Sequence, residues 1–547
     1  MSTISPAPVA TVAATAPKTS TQSSPNVAYQ RIEYVALKPR WDKIRHCIAG
    51  SDEVKKLGTL YLPMPNATDQ TKENIERYNA YRSRAQFYNV TKRTLDGTVG
   101  LVFKEEQSDP ELPPIIDLLC DDIDGTGMGF HQQAKEVLKH VISFGRIGLF
   151  VDYPQVNGVV TKADLDAGNV RPTISLVNPW DIINWRTITI GGVTKLALVV
   201  IAEMYVTDDD GFQEELNEQW RVLRLGPQDE KDENSPLVYI LEEWIRDPNN
   251  RDNFMIKPTQ DDRAQYIPLD SAGKPFDYIP FQFIGAENND SIPDLPPMFD
   301  IAELNLGHYR NSADYEESCF IVGQPTPVVI GLTEDWINTV LKGNIQFGSR
   351  ACIPLPTGAD AKLLQCEPNS MPKEAMDTKE RQMVALGAKL VQQQTVQRTA
   401  TEASMENASE TSVLGTIVKN VCEGYENAFD MAMDFVDATD DTDIEIELNT
   451  SFEDLEVDGQ TMTSLMALYN GNVISFEELR TILRRSGFAY LTDEQAKTQI
   501  EADALLKPIA AMPGQDPNAP EPGAQDDDPP PPAKPKKKAK VKTGGAS

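Results

Sequence analysis

Asp300–Phe320 reads DIAELNLGHYRNSADYEESCF and Pro372–Gln393 reads PKEAMDTKERQMVALGAKLVQQ, and the fold turns on what these two stretches can bury. In the first, Ala302, Leu306, Tyr309, Ala313 and Phe320 recur at helical spacing and form one apolar stripe. The second is predicted to start at Ser370, whose hydroxyl suits the free amides of a first turn. Its middle, Asp377-Thr-Lys-Glu-Arg381, is charged all round. A helix that polar either bridges solvent or packs against copies of itself. The first moderately and the second highly polar, and about fifty residues apart, the two make a poor core for one chain.

Between them, Gly323–Glu367 is short-stranded and Pro/Gly-rich: VVIGL, then ACIPLP, then KLLQC. Downstream, a helix is predicted over Thr401–Val436. Leu414, Ile417, Val418, Val421, Tyr425, Ala428, Phe429, Ala432 and Val436 keep its period, and at 1.5 Å per residue it would span roughly 50 Å. Gly415 and Gly424 inside it are candidate bends. Ile444, Ile446 and Leu448 alternate with Glu445, Glu447 and Asn449, which predicts a strand. Ser475-x-x-Glu478 and Thr492-x-x-Gln495 are capping-box patterns for short helices beyond it.

Upstream, Ile75, Tyr78, Tyr81, Arg82, Ala85 and Tyr88 predict one helix over Asp69–Asn89. Asp121–Phe130 is a loop leading into a helix over His131–Ser143. The texture then turns β-like through Gly148–Tyr153, Thr173–Val177, Ile182–Ile190 and Lys195–Tyr205. Asp208–Gly211, DDDG, is a hairpin turn, followed by Trp220–Leu225 and Leu237–Ile245. The class is α+β.

A length of 547 residues predicts two to four domains. The Ala/Ser/Thr/Pro-rich 1–26 and the Pro-rich, basic-ended 512–547 are predicted to be disordered tails around a body at 27–511. Asp and Glu number 83 against 51 Lys and Arg, a formal charge of −32. That excludes a general DNA-coating role, which needs dense cations to displace counterions. It leaves room for a wall that keeps a duplex from sticking. Cys47, Cys120, Cys319, Cys352, Cys366 and Cys422 are scattered without a C-x-x-C pair, and the four histidines fit no metal spacing, so no metal or other cofactor is expected. No secretory signal pattern opens the chain, and the longest apolar run, Leu196–Ala202, is far short of the roughly 20 residues a spanning helix needs. The expectation is a soluble, non-exported chain without membrane insertion.

Asp124-Gly-Thr-Gly-Met-Gly129 is the most enzyme-like string. A phosphate-cradling loop needs a buried strand before it and, in a P-loop, a terminal Gly-Lys-Ser/Thr. Here a short helix over 114–119 precedes it and no Lys-Ser/Thr follows, so a plain loop is expected. Asp437–Asp443 and Asp208–Asp210 lack the Gly and Glu positions of a calcium loop. No nucleophile, base and acid constellation can be assembled from four scattered histidines, so no catalytic residue is expected. Two polar segments stay open. The tail cations Lys536, Lys537, Lys538, Lys540 and Lys542 suit either phosphate contact or solubility. Gln392, Gln393, Gln394, Thr395, Gln397 and Arg398, between two predicted helices, are either an ordinary surface turn or a donor-rich contact loop.

Several strings, in their order, resemble the phage portal proteins. They are Tyr81–Thr94 (YRSRAQFYNVTKRT) with Gly97–Phe103, Ile123–Gly127, Val137–Pro154, Val177–Arg186 (VNPWDIINWR), Leu304–Asp314 (LNLGHYRNSAD) and Arg398–Ala403. The likeness runs over roughly 70–490. It implies a twelve-subunit homo-oligomeric ring through which double-stranded DNA passes, without enzymatic activity of its own. It implies a wing over 27–298, stem helices at 299–321 and 370–391, a small β-containing clip at 322–369 and a tunnel loop at 392–400. A long wing helix and strand at 401–458 and a helical crown at 459–511 complete that plan. The tunnel-loop residues would be Gln392–Arg398, and Lys379, Glu380, Arg381 and Lys389 would be stem charges. Implied partners are the terminase large subunit, capsid or scaffold protein and head-tail adaptor or tail proteins. The implied place is the portal vertex of the virion, with assembly in the host cytoplasm. The competing expectations are another virion assembly protein (minor capsid component or scaffold) and a nucleotide-dependent enzyme using Asp124–Gly129. A scaffold should be mostly long helix, contrary to the β texture after residue 147.

Overall fold

The computed structural model describes residues 25–500, apart from 105–108, 111, 115, 153–170, 230, 233–234, 259–264, 324–325, 343–353, 365–368, 392–411, 437–443, 451, 453–458, 472, 486–487, 490 and 492–494. The chain is α+β and divides into two compact units, residues 1–452 and 453–547.

The first unit opens with α1 (Ile32–Ala49), α2 (Ser51–Lys56), α3 (Lys72–Arg84), α4 (Val90–Val102), the short α5 (Leu118–Asp121) and α6 (Phe130–Phe144). Strands β1 (Arg146–Asp152), β2 (Thr173–Val177), β3 (Ile182–Ile190), β4 (Val193–Asp209), β5 (Glu214–Pro227), β6 (Leu237–Arg246), β7 (Phe254–Ile256), β8 (Gln265–Tyr266) and β9 (Phe281–Gly285) follow. Then come α7 (Phe299–Gly323), β10 (Thr326–Ile330), α8 (Glu334–Thr339), β11 (Asp360–Leu364), α9 (Met371–Val391) and α10 (Val413–Phe435). No described helix is long and apolar enough to cross a membrane.

Two antiparallel sheets carry the β region, one ordered β2-β1-β9 and one β3-β4-β5-β6-β7 with β8 beside β6. Helix α6 feeds β1 through Gly145, whose φ of 79° and 2.7 Å approach of a would-be Cβ to the Asp294 carbonyl leave room only for glycine. The sheets meet at Arg146, buried on β1, whose guanidinium lies 4.6 Å from the Trp185 ring of β3 and 4.0 Å from Phe283 of β9.

Helix α10 lies on the smaller sheet and on α6, and the predicted stripe is its buried face: Leu414, Ile417, Val418, Val421, Tyr425, Ala428, Phe429 and Ala432. It differs from the sequence expectation in where it starts. It starts at Val413, because Ser412 is in extended conformation and its Oγ accepts from Gly415 N at 3.0 Å. It therefore has 23 residues, and the longest described helix is α7 with 25. Residues 401–411 lie outside the described residues. At Gly424 a Cβ would fall 2.5 Å from Ile284 of β9, so the glycine lets the helix sit directly on the sheet. Buried on the same helix, the Tyr425 hydroxyl contacts Gln133 Oε1 at 3.0 Å, and Gln133 Nε2 donates to the Ile174 carbonyl at 2.7 Å. Tyr425→Phe should cost about 1–2 kcal/mol, since it strands a buried amide oxygen. Urea unfolding measures it, and a loss below a few tenths would mean that the bond contributes nothing.

Three further expectations are corrected. Asp69–Asn89 is not one helix: α3 ends at Arg84, and 85–89 leaves helical geometry because Gln86 and Tyr88 bond to α7 instead. Ile444, Ile446 and Leu448 are buried and Glu445 and Glu447 exposed, but the segment joins no described ladder, so the alternation reflects one-sided burial without a strand. Of the three short strands expected before α9, VVIGL and KLLQC pair as β10 and β11. Pro354–Pro356 of ACIPLP forms none and residues 351–353 lie outside the described residues, while α8, capped by Thr333, was not anticipated.

In the second unit, α11 (Gly459–Asn470) and α12 (Phe476–Arg485) are described. The first capping box forms as read: Glu478 N donates to Ser475 Oγ at 3.1 Å and Ser475 N to Glu478 Oε2 at 2.6 Å. Thr492 of the second box lies outside the described residues.

Candidate functional site

The two stretches that opened the sequence reading form a helical hairpin. The β10–β11 ladder sets Thr326 opposite Leu364, so α9 begins beside the end of α7 and runs back along it. Cross-links between them are polar. Lys379 Nζ donates to Asn311 Oδ1 at 2.8 Å, its methylenes lying over Gly307, where a Cβ would approach Lys379 Cε to 3.1 Å. Glu380 Oε1 meets His308 Nε2 at 3.1 Å. The start of α9 is capped differently from the expectation: Asn369 Oδ1 accepts from Met371 N at 3.1 Å, while the Ser370 hydroxyl donates to the Glu374 carboxylate at 2.9 Å.

The base of the hairpin is fixed to the helical N-terminal part by the polar letters of LNLGHYRNSAD. Asn305, fully buried, accepts from Val90 N (3.1 Å), Thr91 N (3.1 Å) and Thr91 Oγ1 (3.0 Å) and donates to the Tyr88 carbonyl at 2.8 Å. It thus satisfies two of the free amides that open α4, while Asn89 caps a third through Lys92 N at 3.0 Å. Ser312 Oγ bonds both Gln86 N and Gln86 O at 2.7 Å. Arg310 Nε donates to the Tyr61 carbonyl at 2.9 Å, and the Tyr81 hydroxyl to Asp314 Oδ1 at 2.6 Å. Arg84 pairs with Glu317 and lies 4.2 Å from the Phe320 ring. On α9, Gly387 closes the contact with α4, a Cβ there falling 3.1 Å from Thr94 Cγ2. Sequence reading missed these roles. Their signal was polar residues set within the apolar stripe of a helix, a pattern that needs buried partners.

Away from that base the hairpin is poorly covered. The buried residues of α7 end at Ala313, and among the described side chains of α9 only Met383 is fully buried. Apolar side chains are left in water: Val384 is 69% exposed, Met371 71%, Phe320 44% and Ile330 of the ribbon 55%.

The charges singled out on α9 divide. Lys379 and Glu380 are half-buried against α7, whereas Arg381 is exposed and bonds its own helix at the Asp377 carbonyl, 3.2 Å away. Lys389 belongs to α9, and its side chain lies outside the described residues. Gln392, Gln393, Gln394, Thr395, Gln397 and Arg398, and the tail cations Lys536, Lys537, Lys538, Lys540 and Lys542, also lie outside them.

Asp124–Gly129 is a turn in which the Thr126 and Gly127 amides are occupied by nearby carboxylates. Asp122 Oδ1 accepts from Gly127 N at 2.8 Å, and Asp124 Oδ1 accepts from Thr126 N at 2.8 Å. Arg171 pairs with Asp122 and also donates to its carbonyl at 2.7 Å. Those hydrogen bonds, with the Arg171 pairing, hold the Asp122 carboxyl below the usual carboxylate range. A loop that folds around its own anions offers these amides to no phosphate.

A family described as a domain of unknown function, DUF4055, matches residues 297–436, the stretch from α7 through α10. Among solved structures, a chain from the virion of a native gene transfer agent particle is similar at 12% identity, with a TM-score of 0.34, over 76% of this chain and 94% of that one. A chain from the neck of the native particle computed with C12 symmetry is similar at 13% identity, with a TM-score of 0.32, over 72% and 89%. A chain from the neck of the empty particle computed with C6 symmetry is similar at 12% identity, with a TM-score of 0.33, over 76% and 92%. No curated protein matches.

Proposed function

We propose that this chain is the subunit of a phage portal ring, a DNA channel at one capsid vertex. The observation that carries the proposal is the α7–α9 hairpin, pinned at its base by Asn305 and Ser312 yet leaving Val384 and Met371 of α9 exposed. Identical hairpins set side by side in a heterologous ring cover one another's apolar surface, and the rotation closes. The ordered series of portal-like strings in the sequence supports the same reading.

In this reading α7 and α9 are the stem and the β10–β11 ribbon the clip where a terminase docks. The segment Gln392–Arg398 is the tunnel loop, and α11 and α12 belong to the crown. The subunit guides and retains DNA and later joins adaptor or tail proteins. Capsid or scaffold protein surrounds it, and a separate motor hydrolyses ATP. An excess of acidic residues around the channel repels phosphate, so contact stays weak and sequence-blind. Negative-stain microscopy of the purified chain should show closed rings with a central hole and no ATPase activity in the same sample. Dispersed monomers would overturn the proposal.

Arg398→Ala, or deletion of 393–397, should leave ring assembly unchanged and lower packaged or retained DNA by about tenfold, a loss equivalent to about 1.4 kcal/mol of net bias. Loss of rings in these variants would remove the tunnel-loop role.

A further inference from the structure

A cavity of about 640 Å³ lies beside the N-terminal segment, where β3, β4, β5 and the stretch around Trp180 meet. Trp180 gives it aromatic surface, Tyr34 and Trp220 being almost fully buried in its wall, and Asp181, Glu203 and Glu218 give it carboxylates. Two of the three acids are matched: Glu203 by Arg221 at 3.1 Å and Glu218 by Arg246 at 3.1 Å. Asp181 is not. Its Oδ2 accepts from Asn178 Nδ2 at 2.9 Å, and among the described residues no cation forms an ion pair with it. Burial holds its carboxyl above the usual range, while the Asn178 hydrogen bond and the nearby Arg45 pull the other way. Arg246 is the only cation in the lining, and it is tied to Glu218 and stacked 5.2 Å from the Trp220 ring.

An acidic cleft with a half-buried tryptophan in its wall has a defined complement. Proline-rich segments dock on aromatic surfaces because their extended backbone is already restricted and loses little entropy. Lysines beside the prolines then supply Asp181 with a cation in direct contact, where Arg45 acts only at longer range. This chain carries such a segment: Pro529-Pro-Pro-Pro-Ala-Lys-Pro-Lys-Lys-Lys538, the start of its densest basic run, in a molecule of formal charge −32.

We propose that the Trp180–Trp220 cavity binds the proline- and lysine-rich tail, residues 529–542, of a second copy of this chain, with a tail lysine completing Asp181. The proposal does not depend on the portal reading, since any homo-oligomer could be strapped this way.

The test uses the full chain. Equal amounts of 14N- and 15N-labelled protein are mixed and treated with a water-soluble carbodiimide, which joins a lysine amine to a carboxylate in direct contact as an amide. Peptide mass spectrometry should find mixed-isotope links from Lys534–Lys542 to Asp181 or its neighbours. Asp181→Asn should lower their yield at least fivefold. Charge reversal of the tail at Lys536, Lys537 and Lys538 to Glu should do the same. In a second measurement, a labelled 529–542 peptide should bind the charge-reversed full chain saturably, and at least fivefold more weakly after Trp180→Ala. Links confined to one isotope, links scattered over the acidic surface, links from residues 1–24 in place of the tail, or non-saturable peptide binding would each overturn the proposal.

Discussion

Asn305→Leu should lower the unfolding free energy by about 3–5 kcal/mol, because the substitution strands several buried groups at once. The Val90 and Thr91 amides lose their acceptor and the Tyr88 carbonyl loses its donor, all at the N-terminus of α4 and all facing a fully buried residue. An unsatisfied buried polar group costs about 1–3 kcal/mol, and leucine of similar volume can neither hydrogen-bond nor admit water. Asn305→Asp keeps the acceptors and places a negative charge where the helix dipole favours it, so it should cost less, about 1–2 kcal/mol. The check is urea unfolding with an unchanged denaturant slope, so that the midpoint shift reads stability directly. If the leucine variant lost under 1 kcal/mol, Asn305 would not be what holds the hairpin base to α4.

Legibility in the sequence followed how local each element's causes were. The bounds of β2 and β3 were read correctly because turn residues delimit short runs rich in β-branched side chains. The buried stripe of α10 was legible for the same local reason, while its start was not, since Ser412 announces itself only through a bond to Gly415. Failures came where a distant partner decided the outcome. Helix α3 stops because Ser312 and Asn305, over 200 residues away, claim the backbone of 86–91. That Gly424 answers to packing was not legible, because nothing in the sequence places Ile284 beneath it. The two helices were legible, but not that the first buries Ile301, Ala302, Leu306, Tyr309 and Ala313 in the core of its own chain. Nor was it legible that Lys379 and Glu380 turn toward α7, since period alone does not orient a helix that is polar on every side.

Val384→Asp should abolish ring formation while leaving the folded subunit intact. Val384 is 69% exposed on α9, so within one copy the new carboxylate remains in water, and the effect on subunit stability should stay within about 0.5 kcal/mol. Valine and aspartate also have similar helix propensities, so α9 itself is unaffected. In a ring of hairpins the same position is covered by a neighbour, where an unpaired carboxylate loses several kcal/mol of hydration. A heterologous ring repeats that penalty at every junction, so one substitution opposes closure as many times as there are subunits. A valine facing a DNA channel would behave differently: exposed before and after assembly, it would tolerate aspartate and leave the rings unchanged. Light scattering coupled to size exclusion separates the two cases. Monomers with a wild-type melting temperature place Val384 between subunits, whereas rings in wild-type yield would remove α9 from the interface and with it the main support for a shared axial channel.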